Sequence, residues 1–210
     1  MGFFSLEHSK AAYTADFVVY SAAVVVMVGY LAFAGPAGLR LEMLGTAVGG
    51  LVLWSVLEYL LHRFLLHGME PFRSWHAEHH DRPTALIGTP TIFSAGMIAA
   101  FVFLPALLLL DAWLAGALTL GVLSGYLAYT FTHHGLHHWR AESAWLKQRK
   151  LWHAKHHHHA ARPGCYGVTS SFWDHVFRST RPQGAPAPAP SSAVASVVPP
   201  TGFVNTVSAE

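Results

Sequence analysis

The stretch Leu151–Phe177 reads LWHAKHHHHAARPGCYGVTSSFWDHVF, with five histidines in seven positions (His153, His156, His157, His158, His159) and a closing run GVTSSFWDHVF. Four further groups lie upstream: His62/His67, His76/His79/His80, His133/His134 and His137/His138. Fourteen of the sixteen histidines therefore fall in short runs, just beyond two long apolar segments. Neutral imidazole is the commonest metal-binding side chain, so this clustering asks for a metal site. An internal run followed by an aromatic segment does not read as an affinity tag.

Working outward, the chain is 52% hydrophobic and only 11% charged, against about 25% charged in soluble domains. It has too little charge to cover a soluble surface, and a membrane protein is expected. The net charge of +2 says little about partners, although no nucleic-acid partner is expected, and the single Cys165 excludes both an internal disulfide and a multi-cysteine metal knuckle. MGFFSLEHSK has no basic stretch, apolar core and cleavage site in series, so no secretory leader is expected. His8 stands alone there and reads as a solvated side chain.

Four apolar segments follow: 13–34, 44–61, 91–110 and 112–132. The first covers about 33 Å at ~1.5 Å per residue, enough to cross a hydrocarbon core. Gly35-Pro36 ends it, Pro105 is expected to kink the third, and Asp111 marks a tight turn into the fourth. Gly45-x-x-x-Gly49 either lets a neighbouring helix approach closely or is ordinary packing. Glu58 either faces a partner inside the membrane or meets water at its surface. The expected fold is all-α, four spans under a helical, histidine-rich cap. Residues 1–181 would form the domain, and 182–210, rich in Pro, Ala and Ser, a disordered tail. An even number of spans puts both polar blocks and both termini on one side. Of thirteen basic residues only Arg40 falls opposite, and the positive-inside rule makes the histidine side cytoplasmic.

Helical spacing suggests which imidazoles can share a metal. At about 100° per residue His76, His79 and His80 occupy a sector of about 100°. His153, His156 and His157 repeat the same H-x-x-H-H pattern, and His133 and His137 share a face. His62 and His67 fall about 140° apart on an ideal helix, so they serve different metals or need a local break. Ten imidazoles exceed the needs of one metal and fit two.

The motifs HRFLLH (62–67), HAEHHDRP (76–83), YTFTHHGLHH (129–138), HAKHH (153–157) and GVTSSFWDHVF (167–177) resemble those of membrane di-iron oxygenases. Their order and spacing are similar to the fatty acid hydroxylase branch of the sterol desaturase and fatty acid hydroxylase superfamily. The Asp81-Arg82-Pro83 and Thr89-Pro90 continuations are closest in kind to fatty acid 2-hydroxylases. Ser171, where the family often has proline, and Arg178-Ser179-Thr180 after Phe177 depart from the pattern without touching a ligand. The resemblance implies that His62, His67, His76, His79, His80, His133, His137, His153, His156 and His157 hold two iron ions, which zinc can replace. His134, His138, His158 and His159 then stand behind the ligands or in solvent, with His158 able to replace a neighbour in the run. Glu58, Glu78, Asp81 and Asp174 are candidate acceptors that fix imidazole tautomers, although Asp174 can equally cap local structure. Tyr129, Trp152 and Trp173 line a substrate path or anchor the protein at the interface.

The implied reaction is oxygen-dependent hydroxylation of a lipid acyl chain taken from the bilayer. With no cytochrome b type domain in the sequence, electrons are expected from a separate redox partner. A desaturase or a sterol- or carotenoid-type oxidase would share the ligand set. A metal transporter or sensor is the rival of another class, but apart from Asp16, Glu58 and Asp111 the spans carry no charge to pass an ion.

Overall fold

Lys10–Ala34, Ala37–Leu66, Thr91–Leu109 and Ala112–His138 are each long and apolar enough to cross a bilayer. They form the frame of the computed structural model, which describes residues 7–158 and 163–181. His159 and the segment 182–210 lie outside the described residues. We label the helices α1 (Lys10–Ala34), α2 (Arg40–Leu60, extended by a π-helical turn at Leu61–Leu66) and α3 (Phe72–Asp81). These are followed by α4 (Thr91–Leu109), α5 (Ala112–His138), α6 (Ala144–His158) and α7 (Phe172–Val176). Among the described residues there is no strand, only an isolated bridge between Glu7 and Ile87. The protein is an all-α integral membrane protein.

Local chemistry sets the helix ends. The Ser9 side chain accepts the Ala12 N–H at the start of α1, and Asp111 accepts the Trp113 and Leu114 N–H groups at the start of α5. Proline lacks an N–H and crowds the carbonyl four residues back. Ahead of Pro105, α4 takes a π-helical turn at Ala99–Phe103, which absorbs that crowding within an otherwise continuous helix.

Lipid-facing side chains stay on the outside: Phe33 is 91% and Leu108 86% exposed. α5 is the most enclosed span, and it packs along α2 through glycines. A Cβ at Gly121 would lie 2.0 Å from the Ala47 carbonyl oxygen, and one at Gly50 would lie 2.2 Å from that of Leu118. Gly45 and Gly49, the pair marked by the sequence pattern, would have nothing within 4 Å of an added Cβ and face away from this seam. The core beside it comprises Tyr20, Trp54, Val122, Leu123 and Tyr126.

Polar contacts fix which helix ends meet. The Tyr20 hydroxyl pairs with Ser94 at 2.6 Å, and Thr91 donates to Asp16, joining the first half of α1 to the start of α4. The Tyr13 hydroxyl pairs with His134 Nδ1 at 3.2 Å, joining the start of α1 to the end of α5. His8 is not a solvated side chain: its Nε2 pairs with the Gly88 carbonyl at 3.0 Å, and its N–H donates to Leu86. α5 continues past the expected limit at 132 and itself carries His133 and His137 towards the histidine-rich end.

Candidate metal centre

Three elements bring the first group of imidazoles together. His62 and His67 stand on either side of the end of the π-helical turn, where bonding reaches five residues along instead of four. A five-residue separation there returns to nearly the same face, and the two rings lie 5.2 Å apart. This is the local break that their spacing required. α3 contributes His76 and His80, and α6 contributes His156. The ligand atoms of His62, His67, His76, His80 and His156 all lie within 4.8 Å of one another. A second group, His79, His133, His137 and His153, meets the same measure and draws on α3, α5 and α6. His157 Nε2 lies 3.0 Å from His153 Nε2 while its ring stacks on His80, so it sits at the border and adjoins the second group.

The H-x-x-H-H repeats are thus divided between the groups. His76 and His80 face one way and His79 the other, and His156 parts from His153 in the same manner. In the final run, His153, His156 and His157 are the members that turn inward, while His158 lies exposed on the last turn of α6. His134 and His138 stack on each other at 4.5 Å on the face of α5 that meets Tyr13, outside both groups.

These residues suit a metal on three counts. Two nitrogens each about 2.1 Å from one metal and at right angles lie about 3.0 Å apart. The Nε2–Nε2 separations are 3.0 Å for His62–His76, 3.1 Å for His67–His156, 3.2 Å for His76–His80 and 2.9 Å for His137–His153. Both ring nitrogens of buried His79 have no protein partner among the described residues, an arrangement that costs about 1–3 kcal/mol per group when nothing compensates it. The rings are also kept neutral. Burial, reinforced by the charges of neighbouring histidines, pulls His67 down to about 3 and His80 to about 4. Burial chiefly does the same for His157, to about 4, and His76, His153 and His156 lie well below the ordinary value for the same reasons.

Two tautomers in the first group are set by backbone carbonyls. His62 Nδ1 donates to the Tyr166 oxygen at 2.6 Å and His156 Nδ1 to the Gly164 oxygen at 2.9 Å, which leaves each Nε2 lone pair facing the group. The carboxylates expected in this role act elsewhere. Glu58 accepts the N–H groups of Val168 and Thr169 and the Thr169 hydroxyl, and it meets no imidazole. Asp174, fully buried, accepts from Tyr166 N–H, Gly167 N–H, Ser179 and Trp152, so it holds local structure. Main-chain donors stand where imidazoles were expected, because the loop turns its N–H groups, not its carbonyls, to both acids. Glu78 pairs with Arg82, and Asp81 borders a cavity of about 380 Å³ that also touches His67, His80 and Arg73. Trp152 supports Asp174, Trp173 donates to Ser55, and Tyr129 stacks on His133.

Sequence reasoning missed Gly164 and Tyr166, because what matters there is a main-chain oxygen. It also missed Ser179, which joins Asp174 to the Tyr59 hydroxyl, and Arg149, buried on α6 near both acids. Burial holds the Arg149 guanidinium below its ordinary value against the opposing charges of Asp174 and Glu58.

Fold and site together define an integral membrane protein of four apolar helices that carries two histidine groups with the spacing of a metal centre. The fatty acid hydroxylase family model matches residues 47–179, and the chain belongs to that family. Fatty acid 2-hydroxylase of Rattus norvegicus is 32% identical over 155 residues, covering 68% of this chain and 41% of the relative. Dihydroceramide fatty acyl 2-hydroxylase FAH2 of Arabidopsis thaliana is 34% identical over 159 residues, 70% of this chain and 65% of the relative. The chain thus spans 41% to 65% of the length of these relatives. Among solved structures, full-length scs7p, with only its hydroxylase domain visible, aligns at a TM-score of 0.69 and 27% identity over 80% of this chain and 66% of that one.

Proposed function

We propose that this protein is an oxygen-dependent, di-iron hydroxylase that inserts one oxygen atom into a C–H bond of a lipid acyl chain. The observation that carries the reading is the convergence of nine imidazoles into two groups, with a tenth alongside, where the spans end. The named activities of its relatives favour the second carbon of the acyl chain. His62, His67, His76, His80 and His156 would hold one iron, and His79, His133, His137, His153 and His157 the other; zinc would fit the same nitrogens. Iron there supplies the oxidising power that attack on an unactivated C–H bond requires and side chains lack.

The chain's own residues prepare that chemistry. Gly164 and Tyr166 keep the protons of His156 and His62 on Nδ1, so both imidazoles offer Nε2. Burial keeps the rings neutral and able to donate a lone pair. Because the centre lies at the ends of α2 and α5, an acyl chain can approach from lipid along the spans. The polar cavity beside His67, bordered by Arg73 and Asp81, leaves the same centre open to the aqueous side. The basic residues, twelve of thirteen on the histidine side, support a cytoplasmic centre and cytoplasmic termini. Hydroxylation consumes dioxygen, two electrons and two protons and releases one water, and the electrons would come from a separate redox protein.

Lipid mass spectrometry of cells with and without the chain tests this. Acyl chains heavier by one oxygen should appear with the wild type and not with His76→Ala. Acyl chains lighter by two hydrogens would assign desaturation instead, and an unchanged lipid profile from iron-loaded protein with an electron donor would overturn the proposal.

A further inference from the structure

We infer that Glu58 and Asp174, acting through the loop 164–169, position the ligands of one metal and leave the other unaffected. The inference rests on the metal reading above and assigns a role that this reading does not contain.

The loop is gripped at four consecutive N–H groups. Tyr166 and Gly167 donate to the two oxygens of Asp174, each at 2.9 Å, and Val168 and Thr169 donate to Glu58 Oε1, also at 2.9 Å. The Thr169 hydroxyl adds a 2.6 Å bond to Glu58 Oε2, and Ser179 a 2.7 Å bond to Asp174. Both acids are buried, with Asp174 at 0% and Glu58 at 5% exposure, so removing either acceptor would leave main-chain N–H groups of the loop without a partner. The Gly167 N–H turns to Asp174, so the Tyr166 carbonyl of the same peptide turns the other way, to His62 Nδ1. The Cys165 N–H donates to the carbonyl of Ser179, which Asp174 also holds, and the Gly164 carbonyl of that peptide meets His156 Nδ1.

Both of these histidines belong to the first group. Buried Nδ1 atoms without a protein partner among the described residues occur in both groups, at His80 in the first and at His79, His153 and the adjoining His157 in the second, but the carbonyls of the loop reach only His62 and His156. The loop therefore sets ring orientation and tautomer for one metal alone. α2 supplies the acid and a ligand together: Glu58 holds the loop that fixes His62, one turn further along the same helix. Neither acid touches an imidazole, so both are positioning residues.

The test is metal retention by the purified full chain in detergent, loaded with zinc and titrated with chelator, with metal per chain read by elemental analysis. Losing an outer partner of a ligand lowers metal affinity about 10- to 100-fold. Glu58→Ala should therefore release one metal at correspondingly lower chelator and the other as in wild type. Glu58→Gln keeps an oxygen for Val168 and Thr169 and can donate to the threonine hydroxyl, so it should stay close to wild type. In a His137→Ala background the surviving metal should become sensitive to Glu58→Ala. In a His67→Ala background it should not.

Equal weakening of both metals, or the opposite dependence on background, would overturn the inference, and so would a Glu58→Ala profile matching wild type. If Glu58→Ala fails to insert, Thr169→Val serves: it removes one bond and should shift the same metal by a smaller factor, and no shift overturns the inference. A wild type that binds no metal would overturn the metal reading itself. A wild type that binds two and a Glu58→Ala variant that holds both normally would overturn the inference alone.

Discussion

Replacing Gly121 by alanine should loosen the α2–α5 seam on which the whole centre stands. The added methyl would fall 2.0 Å from the Ala47 carbonyl oxygen and 2.8 Å from Leu51 N, where ordinary contact begins at 3.4 Å. It therefore lies about 1.4 Å too close, and the obstructing atoms are backbone, so no side chain can rotate away. The helices must part. Overpacking of this kind costs about 1–3 kcal/mol, against which alanine's better helix propensity returns about 1 kcal/mol. A net loss of up to about 2 kcal/mol is expected. The effect should reach the metals, because α2 carries His62 and His67 while α5 carries His133 and His137. Gly45→Ala is the control: nothing lies within 4 Å of its new methyl, so it should be neutral or gain up to about 1 kcal/mol. Thermal melts of both variants in detergent, with metal content measured alongside, decide the matter. Gly121→Ala melting at or above the wild type, or Gly45→Ala losing as much as Gly121→Ala, would refute the seam.

Three further outcomes are expected. Each of His76→Ala, His79→Ala, His153→Ala and His156→Ala should abolish hydroxylated lipid in expressing cells while the protein still inserts, and His8→Ala and His134→Ala should retain it; activity in His156→Ala would displace the register of the last run. Metal-stripped protein should lose stability as pH falls from about 6.5 to about 4. In that window the unfolded chain takes up protons at His67, His80 and His157, whose pKa values burial holds at about 3 to 4 in the fold, so melting temperatures that stay flat or rise would contradict the burial of those rings. Reporter fusions after Arg40 and after Arg181 should give opposite sidedness, and matching signals would sink the four-span topology.

The spans were legible because their signals are local. Apolar runs, Gly35-Pro36 and Asp111 each state a boundary without reference to the rest of the chain, and the helices follow them. Which glycines meet was not legible, since that depends on how two helices are rotated against each other. Gly45-x-x-x-Gly49 has the usual pattern yet faces outward, while Gly50 and Gly121, far apart in the chain, make the contact. The histidines were visible as a set for the same local reason. Their partition was not: His79 and His80 are neighbours in sequence and serve different groups, because α3 runs between the two and presents His76 and His80 to one and His79 to the other. Glu58 and Asp174 were visible as important acids, but their partners are main-chain N–H groups, which any residue can supply and no residue type announces.

The spacing of His62 and His67 holds more than it first yields. Five residues on an α-helix separate two side chains by about 140°, so one ring facing the centre would point the other towards its neighbours. If both must reach the same group, the helix between them has to take in one extra residue, and the π-helical turn at Leu61–Leu66 does this. Such turns have poorer hydrogen bonding than the α-helix and persist where tertiary contacts favour them. Here those contacts lie on both sides: the Tyr59 hydroxyl accepts from Arg63 and pairs with Ser179 just before and within the turn, and the Tyr166 carbonyl receives His62. Removing those contacts should let α2 relax to ordinary helix, which would swing His67 away from His156 while His62 stayed near its place. The π-helical turn is therefore as much a part of the centre as any imidazole, and H-x-x-x-x-H aimed at one target is its signature in the sequence.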